Sequence, residues 1–287
     1  MSSPDIPPLE PVPVGRPSRA GRNLPVAIAS GVALGVLIIV SLVFWKPAFL
    51  AVVLAAIEIG IWELKEALAV HEIRFSWEIV MAGAVAMVVG AYLGGPVVLL
   101  ISLAITALAV LLWRLRQGVP GYVRDASAGV LTATYVPFLA GFVALLLDRA
   151  DGVERVVTFI LVTVASDVGG YAVGVVLGRH LMAPVISPKK SWEGFAGSVA
   201  FCMVAGWASV VYLLHGAWWV GLLLGAVAVV FATFGDLVES VMKRDLGIKD
   251  MSSVVPGHGG LMDRLDSLLA TVAPVWLVLV CLVPAVR

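Results

Sequence analysis

The chain has 287 residues, of which 61% are hydrophobic and only 13% are charged. Its mean hydropathy of +1.04 lies far outside the range of soluble globular domains, which excludes a soluble enzyme or binding module and indicates an integral membrane protein. The formal net charge is zero, so overall charge indicates no nucleic acid partner. In a bilayer each spanning segment satisfies its own backbone as a helix, and we expect an all-α polytopic fold.

The first 24 residues form a proline-rich segment with almost no apolar periodicity. Such a composition is typical of disorder, and residues 1–24 are predicted to be a disordered tail. The prolines are Pro4, Pro7, Pro8, Pro11, Pro13 and Pro17.

Nine apolar runs that we predict to be membrane helices follow the tail, and the second of them is short and includes Glu58. The breaks between them carry turn-forming residues, such as Gly94-Gly95-Pro96. We divide the chain into N-terminal helices over 25–150 and C-terminal catalytic helices over 151–287. The predicted spans are 25–45, 47–62, 78–94, 96–113, 126–147, 156–178, 195–214, 217–235 and 267–285.

Lys and Arg are distributed unequally between the two sets of alternate connections. The tail and the connections after the second, fourth, sixth and eighth spans hold 15 of them, and the other side holds 4. The positive-inside rule therefore predicts a cytoplasmic N-terminus and an outward C-terminus.

The connection over residues 166–194 is one of two that are rich in polar residues. Asp167 falls near the middle of the sixth span, where a carboxylate is expensive and usually faces a cavity or a partner. The alternative is a protonated Asp that bonds to a neighbouring helix. Lys189 and Lys190 either bind phosphates or act only as positive-inside anchors. Gly170, Gly174 and Gly178, spaced by four, fit ordinary helix packing.

The second polar connection, residues 235–267, contains more charge than a solvated loop requires. Asp263 and Asp266 are three apart, so a helix beginning near Leu261 places both on one face. Two carboxylates repel each other unless a cation lies between them, and Mg²⁺ takes oxygen ligands of this kind. Asp236 is a third candidate ligand. The alternative is that the pair simply stabilises the positive end of the helix dipole.

A glycine-rich turn, Pro256 to Gly260, precedes that helix. Its N–H groups are candidates to face a phosphate, and nearby Lys and Arg side chains add cationic donors. Metal ligands, a glycine turn and basic residues together favour phosphoryl or nucleotidyl transfer, in which charge builds on nonbridging oxygens.

These residues resemble the C-terminal signature of the membrane phosphatidate cytidylyltransferases, also called CDP-diacylglycerol synthases. The upstream segment ISPKKSWEG, residues 186–194, is similar to a second block of that family, and the resemblance covers 166–267 in detail. The family often has a basic residue where this chain has Val175, so either Arg179 takes that role or the position is dispensable. The signature residues, within 240–266, are Ser240, Lys243, Arg244, Lys249, Asp250, His258, Gly259, Gly260, Asp263, Arg264 and Asp266.

The resemblance implies transfer of CMP from CTP to phosphatidic acid, with Mg²⁺ as cofactor and room for a second cation. It also implies a homodimer in a bacterial-type plasma membrane. His258 either orients a phosphate or caps the turn. The expected catalytic residues are Asp167, Lys190, Lys243, Arg244, His258, Asp263 and Arg264. The expected substrate-binding residues are Lys189, Lys190, Ser191, Lys243, Arg244, Lys249, Gly259 and Gly260, and the expected metal ligands are Asp236, Asp263 and Asp266.

Three other functions are alternatives: two enzymes with related chemistry and a transporter, which is a different class. A CTP-dependent lipid kinase would transfer the γ-phosphate and release CDP. A CDP-alcohol phosphotransferase would need Asp-Gly and Ala-Arg elements that are not found around Asp263 and Asp266. An ion-coupled transporter would use Asp167 as an ion site, but inverted repeats of broken helices are not evident.

Overall fold

The computed structural model describes residues 24–252, 254 and 259–284, with side chains from residue 29 onward. The predictions for the tail, apart from Leu24, and for His258 lie outside these residues. The described chain is almost entirely helical, as predicted. A π-helical turn, Thr134–Phe138, joins two of the helices, and one small antiparallel hairpin is present. The helices are α1 Leu24–Phe44, α2 Lys46–Ala69, α3 Trp77–Leu115, α4 Tyr122–Ala133, α5 Leu139–Leu147, α6 Gly152–Leu177, α7 Trp192–Tyr212, α8 Trp218–Asp245 and α9 Met262–Leu282, and the strands are β1 Leu181–Ala183 and β2 Ser187–Ser191.

The number of separate spans differs from the prediction of nine. Among the described residues, seven helices are long and apolar enough to cross a membrane, and Ala29–Phe44 is a shorter apolar helix. The prediction is therefore corrected to eight. The reason is that the predicted spans 78–94 and 96–113 form one helical run, α3.

The α3 run nevertheless reverses direction at the predicted break. Gly95 has φ 74° and ψ −166°, a conformation that favours glycine, and Pro96 follows it. A Cβ on Gly83 would lie 2.4 Å from the Thr106 side chain, whereas a straight helix would separate these residues by about 35 Å. α3 is thus a helical hairpin with two packed halves.

Helices α8 and α9 extend beyond the apolar runs that predicted them. The eighth span was expected to end at 235, but α8 continues to Asp245, and α9 begins at Met262 instead of 267. Within the extension, Lys243 Nζ lies 3.4 Å from Glu239 Oε2, an i,i+4 pair that supports the helix. The charged residues of this region therefore stand on helices and not in a connection.

The C-terminal helices approach one another closely at glycines. A Cβ on Gly169 of α6 would lie 2.7 Å from the Gly197 carbonyl oxygen of α7, and a Cβ on Gly206 of α7 would lie 2.3 Å from the Gly221 carbonyl oxygen of α8. Gly174 likewise faces Gly194. At Gly169 and Gly206 a side chain would clash with the neighbouring backbone, so these glycines allow the close approach of the helices, as small residues do in membranes.

The far end of α9 is held by a buried arginine. Arg155 of α6 is 1% exposed and pairs with Asp151 at 2.8 Å. Its guanidinium also donates to the carbonyl oxygens of Leu279 at 3.0 Å and Val283 at 3.1 Å. The Leu279 carbonyl oxygen also accepts from the Val283 N–H at 3.1 Å, so the arginine adds a second donor there and lies favourably at the negative end of the helix dipole.

Candidate active site

A polar cavity of about 470 Å³ lies between α6, β2, α7, α8 and α9. It brings together residues from both polar connections, as the sequence predicted. Its charged lining residues are Asp167, Lys189, Lys190, Asp236, Lys243, Asp250, Asp263, Arg264 and Asp266.

The hairpin of β1 and β2 places Lys189 and Lys190 at this cavity. Ser191 ends β2, and its Oγ accepts a hydrogen bond from the Gly194 N–H at 3.1 Å, which caps α7. Arg244, at the end of α8, donates through Nε to the Ile186 carbonyl oxygen at 3.4 Å. The sequence did not predict this hairpin, because its strands are only three and five residues long and lack an apolar alternation.

Lys190 pairs with Asp236 across the cavity. The distance from Lys190 Nζ to Asp236 Oδ2 is 2.6 Å, and Ser240 Oγ donates to the other Asp236 oxygen at 3.4 Å. Both charged side chains are only partly buried, and both line the cavity. The ion pair links residues 186–194, the segment ISPKKSWEG, to α8.

Asp263 accepts hydrogen bonds from three directions. Its Oδ1 lies 2.7 Å from Lys243 Nζ. Its Oδ2 accepts from the N–H groups of Met251 at 3.0 Å and Gly260 at 2.9 Å. The Gly260 N–H therefore has a partner within the protein, and its predicted phosphate contact stays a prediction.

Asp266 lies beside a second buried carboxylate, Glu239. Asp266 Oδ1 accepts from the Ser267 N–H at 2.6 Å, and the Glu239 carboxylate is its neighbour. Glu239 is fully buried, and neither of its oxygens has a hydrogen-bond partner among the described residues. Tyr135, in the π-helical turn, is close enough to interact electrostatically with both carboxylates, and its hydroxyl also lacks such a partner. Glu239 was not predicted as a site residue, although its spacing from Asp236 and Lys243 on a helix was a usable signal.

Asp167 faces the cavity from α6, as expected. Among the described residues it makes no hydrogen bond to a neighbouring helix, which argues against the alternative of a helix-bridging protonated Asp. The neighbouring Ser166 carbonyl oxygen accepts instead from Ser198 Oγ at 2.6 Å. Asp167 thus belongs to the polar wall of the cavity.

Several predicted residues do not line the cavity within the part of the chain that the structure describes. They are Arg244, Lys249, Gly259 and Gly260. Arg179 is also outside the lining, and its backbone N–H donates to Glu193 Oε2 at 3.1 Å. Substrate contacts by the first four residues therefore stay predictions.

The predicted metal ligands Asp236, Asp263 and Asp266 all line the cavity. Among the described residues, no group of three or more His, Cys, Asp and Glu is arranged to hold a metal ion. Lysines pair with Asp236 at 2.6 Å, with Asp263 at 2.7 Å and with Glu239 at 3.4 Å. The donor types nonetheless fit a hard cation, because the carboxylates are all oxygen donors and the Glu239 oxygens are buried without hydrogen bonds.

Comparison with known proteins covers nearly the whole chain. The model of the "Cytidylyltransferase family" matches residues 25–282. A relative from Mycobacterium leprae (strain TN) is 41% identical over 287 residues, covering 92% of this chain and 90% of its own. A relative from Mycobacterium tuberculosis (strain ATCC 25618 / H37Rv) is 39% identical, covering 94% and 86%. One from Staphylococcus saprophyticus is 35% identical over 146 residues, covering 50% and 55%. Each relative is named phosphatidate cytidylyltransferase. The extent of these matches shows that the chain belongs to the cytidylyltransferase family.

Proposed function

We propose that this protein transfers CMP from CTP to phosphatidate, giving CDP-diacylglycerol and pyrophosphate in phospholipid biosynthesis. The main observation that supports the proposal is the lining of the cavity, in which Lys190, Lys243 and Arg264 lie among carboxylates. The cavity lies in a chain whose family is named for cytidylyl transfer and whose relatives are named phosphatidate cytidylyltransferase.

The chemistry requires alignment and charge neutralisation. A phosphate oxygen of phosphatidate attacks the α-phosphorus of CTP, the bond from that phosphorus to the bridging oxygen breaks, and pyrophosphate leaves with the electron pair. The attacking oxygen is already an anion at neutral pH, so no strong general base is needed. Lys190 and Lys243 are held by carboxylates at 2.6 and 2.7 Å, and their fixed positive charge would stabilise the transition state.

We propose that Mg²⁺ binds at this site. Asp236, Asp266 and Glu239 would hold it, with Asp263 as the other predicted ligand, and a second cation remains part of the proposal. When bound, the ion would shield charge on the phosphates of CTP. Asp167 would complete the polar wall on the α6 side.

Placement in the membrane follows from the substrates. CTP is soluble and phosphatidate is not, so one cavity has to reach both the cytoplasm and the inner leaflet. The 15 to 4 distribution of Lys and Arg supports a cytoplasmic N-terminus and a cytoplasmic position for the polar segments in a bacterial plasma membrane. A homodimer remains part of the proposal.

The test uses CTP labelled at either the α- or the γ-phosphate. Purified protein is incubated with phosphatidate and Mg²⁺, and label is then measured in the lipid phase. We expect lipid label from α-labelled CTP only, labelled pyrophosphate from γ-labelled CTP, and loss of both with EDTA. Lipid label from γ-labelled CTP would identify a kinase, and no transfer from either would overturn the proposal.

Arg149→Gln is a control for this assay, since Arg149 is exposed and outside the cavity lining. This variant should retain full transfer, whereas Lys190→Gln should lose it.

A further inference from the structure

Helix α9 begins without a cap from its own sequence. Leu261 precedes it with helical angles, φ −71° and ψ −36°, and no side chain at that position caps the helix. The first N–H groups of any helix lack intrahelical partners and need acceptors from elsewhere. At α9 the N–H groups that need acceptors lie directly before Asp263.

The acceptor comes from Glu63 of α2, about 200 positions earlier in the chain. Its Oε1 accepts from the Leu261 N–H at 2.8 Å, and its Oε2 accepts from the Met262 N–H at 2.7 Å. Ser252 Oγ also donates to Oε1. Glu63 is fully buried, and it is not among the site residues that the sequence predicts.

The contacts require a group that only accepts hydrogen bonds. A carboxylate presents acceptors at both oxygens, and its charge is stabilised at the positive end of a helix. An amide would face one of these N–H groups with its own NH₂, donor against donor. Glutamine therefore cannot reproduce the contacts, even though its shape is nearly the same.

Glu63 holds both chain segments that surround Asp263. Ser252 follows Met251, whose N–H binds Asp263, while Leu261 follows Gly260, whose N–H binds the same oxygen. We infer that Glu63 is a positioning residue that fixes the start of α9 and thereby aligns Asp263 and Asp266 in the cavity. This inference rests on the proposed function, because it assigns Glu63 to the same reaction.

The test compares Glu63→Gln with Glu66→Gln. Glu66 lies on the same helix, is exposed and pairs with Lys65 at 2.8 Å, so the control makes the same charge change at the surface. Two quantities are measured on the full-length protein in detergent: hydrogen exchange of the amides of residues 260–266, and steady-state kcat and KM with CTP, phosphatidate and Mg²⁺.

We expect Glu63→Gln to speed exchange of the Leu261 and Met262 amides by at least about tenfold, because a buried hydrogen bond is lost. We expect kcat to fall by up to about 100-fold, because misplaced reacting groups lose alignment. KM for CTP should change little, and Glu63→Asp should recover part of kcat. Glu66→Gln should match wild type in both measurements.

The outcomes separate the two claims. Faster exchange in Glu63→Gln with no transferase activity even in wild type would support the cap and overturn the proposed reaction. An active wild type with unchanged exchange or unchanged kcat in Glu63→Gln would overturn the positioning role. If Glu63→Gln does not fold, Ser252→Ala is used instead, because it removes one of the three hydrogen bonds that Glu63 accepts. Unchanged amide exchange and unchanged kcat in Ser252→Ala would also overturn the positioning role.

Discussion

Asp263 and Asp266 lie one helical turn apart but have different surroundings. Asp263 is bonded to Lys243 and to two backbone N–H groups, so it ties the preceding loop to α8 and α9. Asp266 is bonded mainly to its neighbour Ser267 and lies beside Glu239. The two residues should therefore respond differently to the same substitution.

We predict that Asp266→Asn lowers turnover by at least about 100-fold while leaving stability nearly unchanged, because a charged group facing the reacting phosphates is lost. Asp263→Asn should lower turnover too and also destabilise the fold by roughly 1–3 kcal/mol, because it weakens a charge-assisted bond to Lys243. Turnover across a Mg²⁺ titration and thermal unfolding in detergent measure the two effects.

Asp148→Asn serves as the control, since Asp148 is exposed at the end of α5 and outside the cavity lining. Near wild-type turnover in both site variants at every Mg²⁺ concentration would show that these aspartates only stabilise the start of a helix.

Local spacing predicted the shared face of Asp263 and Asp266, because three residues make nearly one helical turn. Spacing cannot reveal contacts between distant parts of the chain. Glu63 contacts residues nearly 200 positions away, and no local pattern marks it. The pairing of Lys190 with Asp236 could likewise not be predicted from local spacing, although both residues were predicted as site residues and both line the cavity.

At the scale of elements, the contact between α6 and α7 has little free space. A Cβ on Gly197 would lie 2.6 Å from the Gly169 carbonyl oxygen and 2.5 Å from the Val173 side chain. Backbone oxygen cannot move aside as a flexible side chain can. The two helices position Asp167 and Ser191, so their separation sets the width of the cavity between them.

We predict that Gly197→Ala destabilises the protein by roughly 1–3 kcal/mol, the usual cost of overpacking. Gly35→Ala in α1 is the matched control, because a Cβ there has no neighbour within 4 Å, and alanine favours a helix more than glycine does. Thermal unfolding in detergent compares them, and equal transition temperatures would contradict the predicted crowding.

The apolar parts of the helices were predictable, because a bilayer-spanning helix needs a long hydrophobic run. The ends of the helices were not predictable, because there the helix leaves the apolar region. α8 continues ten residues past the predicted boundary because its last turns bury one face, with Glu239 on it, and hydropathy does not detect such a mixed surface.

At the scale of the whole molecule, the reversal at Gly95 returns the chain to the end of the bundle where α3 began. Arg114, at the end of α3, pairs with Asp125 at 3.1 Å, and the same aspartate accepts from the Arg74 N–H before α3. Both ends of the hairpin therefore lie together. This keeps the alternation of sides that the distribution of Lys and Arg requires, even though the described residues form eight apolar helices and not the nine predicted.

We predict opposite accessibility for two exposed positions in a background with Cys202 and Cys281 replaced by alanine. Val185→Cys, in the β hairpin, should react with an impermeant thiol reagent only after the membrane is opened, since segment 179–194 is expected in the cytoplasm. Arg149→Cys should react in intact cells. Labelling of Val185→Cys from outside, or of both positions from one side, would refute the orientation.

Helix α9 is anchored at both termini by charged side chains of other helices: Glu63 at Leu261 and Met262, and Arg155 at Leu279 and Val283. The distance between the anchors is about 26 Å, close to the thickness of a hydrocarbon core. α9 therefore cannot slide along its axis when the bilayer becomes thinner or thicker. Hydrophobic mismatch must instead be absorbed by tilting of peripheral elements such as α1, whose apolar side chains are largely exposed, or by deformation of the lipid itself.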